Sequence, residues 1–272
     1  MKLLRLFKKY FEPFFLSINK RVRFVFSVLA IGATLLLSSF FYFDTFFIFL
    51  PILILGAYFC TYFSILEGIE KKEWIMLFIM PVVLTVSFYL FYFLFFPVRW
   101  ITRIPFLLIY SFSLYAILLT SNIFNVGVER SLQLYRAAFA INYFFHTVVL
   151  FLLFSILFLF KQIFFINAFA AFLIVFPLAL QLLWSVKPKV SIDKKVVDYS
   201  LFTALCIAEL AMIVSFVPLQ APIMALLLTA CYYCISGLIY HYIDEKLYTP
   251  TIREYLVVII IVTMIALLTI KW

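Results

Sequence analysis

Glu209 is the residue with the sharpest chemical meaning in this chain. It lies near the centre of Leu201-Phe-Thr-Ala-Leu-Cys-Ile-Ala-Glu-Leu-Ala-Met-Ile-Val-Ser-Phe216 and is the one formally charged side chain placed deep in an apolar run. A charged side chain at the middle of a bilayer costs about 2.5–3.5 kcal/mol on insertion scales. Hydrocarbon disfavours the charged form of any carboxyl. Such a group is either a proton or cation site, or a protonated acid hydrogen-bonded to a Tyr, a Ser or a backbone carbonyl on a neighbouring helix. A working relay ordinarily strings several such groups together, and a single one favours the hydrogen-bonded reading.

A second constellation surrounds the middle of the chain. Asn122, Asn125, Glu129, Gln133 and Arg136 recur at spacings of three and four, beside Arg130, and Asn142 and His146 are four apart. On helices these spacings make two polar faces that can converge, with Gly127 a break in the first. A carboxylate, two guanidiniums and an imidazole together could hold an anionic head group or a small metabolite. The plainer reading is a solvated elbow with a lone histidine near the interface.

Other pairs carry less. Cys231-Tyr-Tyr-Cys234 places two thiols on one helical face. Nucleophilic thiols at that spacing would exchange disulfides. Here they sit mid-run, as do Cys60 and Cys206, and small packing residues are the simpler reading. Without His or acidic partners at ligand spacing they make no metal site. Arg99, Trp100 and Arg103 could meet lipid phosphates, but Trp and Arg at an interface are ordinarily anchors. There is no Gly-rich phosphate loop, HExxH, GxSxG or paired intramembrane carboxylate.

The elements that must position these residues are membrane helices. The chain is 68% apolar and only 12% charged, where soluble chains run to about a quarter charged. Its apolar runs are near 20 residues, the length a helix needs to cross about 30 Å of hydrocarbon. Only helices satisfy their backbone there when the runs do not alternate as barrel strands do. Nine spans are predicted, over about 24–43, 46–66, 75–96, 105–124, 139–160, 163–185, 199–217, 222–240 and 255–271. The connections at Asp44-Thr45 and Lys161-Gln162 force tight antiparallel hairpins. Val217-Pro-Leu-Gln-Ala-Pro222 makes a third turn, without which residues 199–240 would form one helix far too long for a bilayer. Residues 1–23 read as an interfacial amphipathic helix. Lys2, Arg5, Lys8, Lys9 and Glu12 lie on one side, and Leu4, Phe7, Phe11, Phe14, Phe15 and Ile18 on the other. The run after it is too long for a signal-peptide core and lacks a small-residue cleavage site, so an uncleaved anchor is expected. Gly is rare, which argues mildly against a dense moving core.

Charge placement fixes an expected orientation. With the N-terminus inside, 17 of the 21 Lys and Arg fall on inner segments, and only Arg99, Arg103, Lys161 and Lys271 fall outside. That asymmetry predicts a cytoplasmic N-terminus and an outer C-terminus. The loop Lys187-Pro-Lys-Val-Ser-Ile-Asp-Lys-Lys195 is a topology determinant that attracts anionic lipid.

The expectation is an all-α, polytopic membrane protein. It has a cytoplasmic amphipathic segment over 1–23 and a single transmembrane domain over 24–272, in the cell membrane. The function that fits best is non-enzymatic: structural, accessory, or binding lipid or a protein partner, with no cofactor and no nucleic acid. The alternative is a small transporter using Glu209 as its proton or cation site. More distant is an enzyme acting on lipid head groups through the elbow cluster.

Overall fold

The structure, a computed structural model, describes residues 19–41, 46–65, 74–96, 100–126, 132–188 and 191–270. Among them all regular structure is helical. The helices are α1 (Lys20–Ser38), α2 (Phe46–Ile65), α3 (Trp74–Phe95), α4 (Trp100–Val126), α5 (Leu132–Leu159), α6 (Phe164–Trp184), α7 (Lys194–Val214), α8 (Ala221–Ile243) and α9 (Thr249–Leu268). All nine are long and apolar enough to cross a membrane. The protein is therefore a polytopic helical membrane protein, as the length of its apolar runs predicts. The amphipathic stretch expected over 1–23 lies outside the described residues up to 18. Lys20 to Arg23 open α1. The hairpin connection at Asp44-Thr45 also lies outside the described residues.

The chain forms two compact units, the first reaching Ile141 and the second beginning at Asn142, within α5. In the first, α1 packs on α2 and α4, α2 on α3 and α4, and α3 on α4. Side-chain hydrogen bonds fix the helices against one another where hydrophobicity cannot, since lipid is as apolar as leucine. Ser64 donates to Ser27 Oγ at 2.9 Å, joining α2 to α1, and Thr85 and Tyr110 share a hydrogen bond of 2.9 Å between α3 and α4. The C-terminus of α1 meets the N-terminus of α4, so these two helices run antiparallel. There Arg103 donates to the Ser39 carbonyl at 2.9 Å, and its guanidinium lies over Phe40 and Trp100 at 4.7 and 5.2 Å. Arg103 is thus a clamp on a helix end, a role more specific than the interfacial anchor that the sequence suggested. The clamp exists because α4 begins at Trp100 and runs through Pro105, a residue that membrane helices tolerate.

In the second unit α6 packs along α7, α7 on α8, α8 on α9, and α6 touches α8. The α6–α7 pairing rests on small residues: Ala171 and Ala179 on one side, Ser200, Ala204 and Ala211 on the other, all fully buried. Alanine and serine here give the close backbone approach that glycine often supplies. Asn167 at the start of α6 donates to Ser215 Oγ at 3.0 Å, and Lys187 just after α6 donates to the Ile243 carbonyl at 3.1 Å. These bonds hold α6 antiparallel to α7 and put the C-terminal ends of α6 and α8 on one side. The turn at 217–220 separates α7 from α8 as the two prolines predict, and the turn at 160–163, with Lys161 at φ 47°, joins α5 to α6. α9 is packed chiefly on α8, and of its residues only Tyr255 and Ala266 are buried.

Candidate functional site

The direction of Glu209 follows from the small residues of α7. The buried positions of that helix are Ser200, Thr203, Ala204, Ile207, Ala211 and Val214, one face at spacings of three and four. Glu209 is two residues from Ile207, about 200° around an ideal helix, and so points directly away from that face. It is exposed. It stands about 22 Å along the helix from Lys194, at 1.5 Å per residue. Among the described residues it has neither a hydrogen bond nor an ion pair. Every other formally charged residue of the described helices lies within two turns of a helix start. The sequence reading of Glu209 as a mid-helix carboxyl holds. The hydrogen bond from a neighbouring helix that it led us to expect is absent among the described residues, because the face that meets the neighbours is the alanine and serine face.

The elbow residues are distributed differently. Glu129 and Arg130 lie outside the described residues. In the first unit, Asn125 donates to the Ile65 carbonyl at 3.3 Å, tying the ends of α4 and α2 together. Asn122 keeps a buried Oδ1 without a partner, and Arg136 is exposed. Asn142 and His146 belong to the second unit and are buried, at 1% and 0% exposure, rather than solvated. The structure joins these two. His146 Nδ1 bonds the Asn142 carbonyl at 2.7 Å, and Asn142 Nδ2 donates to Gln181 Oε1 on α6 at 3.3 Å. His146 Nε2 is buried with no hydrogen bond. Gln181 is the member that sequence reasoning missed. The signal was available, since Gln181 and Asn167 are the only side-chain amides in α6 and both bond to other helices.

A tyrosine cluster in the same unit was also missed. Tyr143 on α5 donates to the Tyr233 carbonyl on α8, and the two rings stack at 5.0 Å. Tyr255 on α9 lies 5.3 Å from the Tyr233 ring and 6.0 Å from His241. Gly237 makes room for them. A Cβ there would fall 2.5 Å from the Tyr255 hydroxyl and 2.6 Å from that of Tyr143. Cys231 and Cys234 are buried free thiols, the latter bonding the Tyr255 carbonyl at 3.3 Å. They are placed as packing residues. Among the described residues, no group of three His, Cys, Asp or Glu side chains converges to hold a metal ion.

Asn142, Asn167 and Tyr143 bond helix to helix, and Glu209 faces outward. No curated protein and no solved structure matches the chain. The family described as "Protein of unknown function (DUF5656)" matches residues 45–269, which takes in α2 to α9, and the chain belongs to that family.

Proposed function

We propose that the protein is a non-enzymatic, partner-binding component of the cell membrane, and that α7 carries its contact surface. The observation behind this reading is the outward direction of Glu209. A proton or cation pathway needs its carboxyl inside a bundle or on a water-filled cavity. A carboxyl turned to lipid is instead satisfied when another membrane segment covers it. Asn142, Gln181 and Tyr143 are consistent with this, since they are occupied in bonding the helices of the second unit.

The same reading puts the N-terminus in the cytoplasm and the C-terminus outside. It also puts the exposed Lys187, Lys194, Lys195, Lys246 and Arg253 of the second unit against anionic lipid at the cytoplasmic face. The test against transport uses purified protein in proteoliposomes with an imposed pH or cation gradient. Wild type and Glu209→Gln are expected to show the same background leak. A flux present in wild type and abolished by Glu209→Gln would overturn the reading in favour of transport.

A further inference from the structure

We infer that the outer face of α7 is the seam of a parallel, two-fold dimer of this chain, in which Glu209 of each copy meets Glu209 of the other inside the bilayer. The inference rests on the partner-binding reading and names the partner.

The first support is the pattern of the face. Phe202, Leu205, Glu209, Met212 and Phe216 follow one another at alternating spacings of three and four. This is the seam pattern of two helices packed in parallel with a left-handed crossing. Phe202, Leu205 and Phe216 are 55%, 48% and 69% exposed, large side chains that nothing in the second unit covers. The seam lies opposite the face that packs on α6, so a second helix can seat on it without disturbing the unit.

The second support is the carboxyl itself. It needs a hydrogen-bond partner about 22 Å along the helix from Lys194, where lipid offers none. A second copy related by an axis along the membrane normal brings an identical carboxyl to the identical depth. Two carboxyl groups are self-complementary, since the O–H of one can donate to an oxygen of the other. No group of a second kind is needed, whereas an unrelated protein would have to present a donor at that depth. A single polar residue at the centre of an apolar seam also fixes register, because sliding by one turn leaves both acids unpaired. On α7, Cys206 is the ionisable side chain nearest to Glu209 in the chain, Lys194, Lys195, Asp198 and Tyr199 lying in the first two turns, and α6 carries none.

The test is disulfide trapping of the full chain in liposomes at low protein-to-lipid ratio. Cys60, Cys206, Cys231 and Cys234 are first replaced by Ala. Single cysteines are then placed by Leu205→Cys on the seam and by Ile260→Cys, a control on the exposed face of α9. Copper–phenanthroline should trap the Leu205→Cys dimer well above the control. Glu209→Gln, which can still donate and accept, should keep most of the trapping. Glu209→Leu should lower it by about fivefold or more. Glu209→Lys should abolish trapping between its own copies and restore it when mixed with the Glu209 form. Leu205→Cys trapping no higher than the α9 control, or undiminished by Glu209→Leu, overturns the dimer. Because leucine on a lipid-facing surface favours insertion, misfolding does not confound that variant. If trapping fails while a different membrane protein still co-isolates in a Glu209-dependent way, the dimer is wrong and the partner-binding reading stands. If neither is seen, both fall.

Discussion

At the scale of single residues, the second unit is held by polar side chains that work in pairs. Asn142 and Gln181 join α5 to α6 through one amide–amide bond. Interhelical bonds in membranes average about 0.6 kcal/mol and reach about 1.7 kcal/mol, because the unfolded chain in lipid also finds partners. A double-mutant cycle of Asn142→Ala and Gln181→Ala, read from unfolding in bicelles, should therefore show a coupling of about 1 kcal/mol. Gly237→Ala should do more harm than its one methyl suggests. The added carbon would force the hydroxyls of Tyr255 and Tyr143 apart, and overpacking of this kind costs about 1–3 kcal/mol. Loss of thermal stability in detergent, with Ser236→Ala as a neighbouring control, measures it. These sites were half legible in the sequence. Asn142 and His146 stood out as amide and imidazole four apart, but a lone Gln181 in an apolar run names no partner, since pairing is a property of the folded chain. Glu209 was legible as a residue and not as a direction. The missed clue was Ser200, Ala204 and Ala211, whose small size marks the packed face and so turns the acid the other way.

At the scale of elements, bilayer thickness did the predicting. A helix that must cross about 30 Å without exposing its backbone has a fixed length, so runs and breaks sufficed to find the nine helices among the described residues. The prolines at 218 and 222 resolved α7 from α8 for the same reason. The start of α4 was less legible, because Pro105 looks like a boundary and is not one. That difference matters, since the extra turn carries Arg103 to the end of α1. Guanidinium supplies both the flat surface over Phe40 and Trp100 and the N–H on the Ser39 carbonyl. An ammonium cannot replace both. Arg103→Lys should lower stability by about 1–2 kcal/mol, measured as a shift in the thermal unfolding of the purified protein. No measurable shift would mean the clamp adds little to what the helices hold by packing.

At the scale of the whole molecule, the two ends of the second unit are chemically distinct. Lys187, Lys194, Lys195, Lys246 and Arg253 gather at one end, and at the other the turn at 160–163 carries Lys161 alone and the turn at 217–220 no formal charge. The orientation proposed from this is checked by membrane-impermeant maleimide on single cysteines. Ser191→Cys should label only from the cytoplasmic side and Gln220→Cys only from outside. The reverse pattern would invert the protein and move every basic loop out of the cytoplasm. The loose seating of α9 has a bearing on synthesis. A helix that keeps only Tyr255 and Ala266 from its surroundings has little to offer the chain already in the bilayer. While α9 is still within the ribosome and translocon, α6, α7 and α8 can already have closed on one another. The arrival of α9 then closes Tyr255 over Gly237 as its latch.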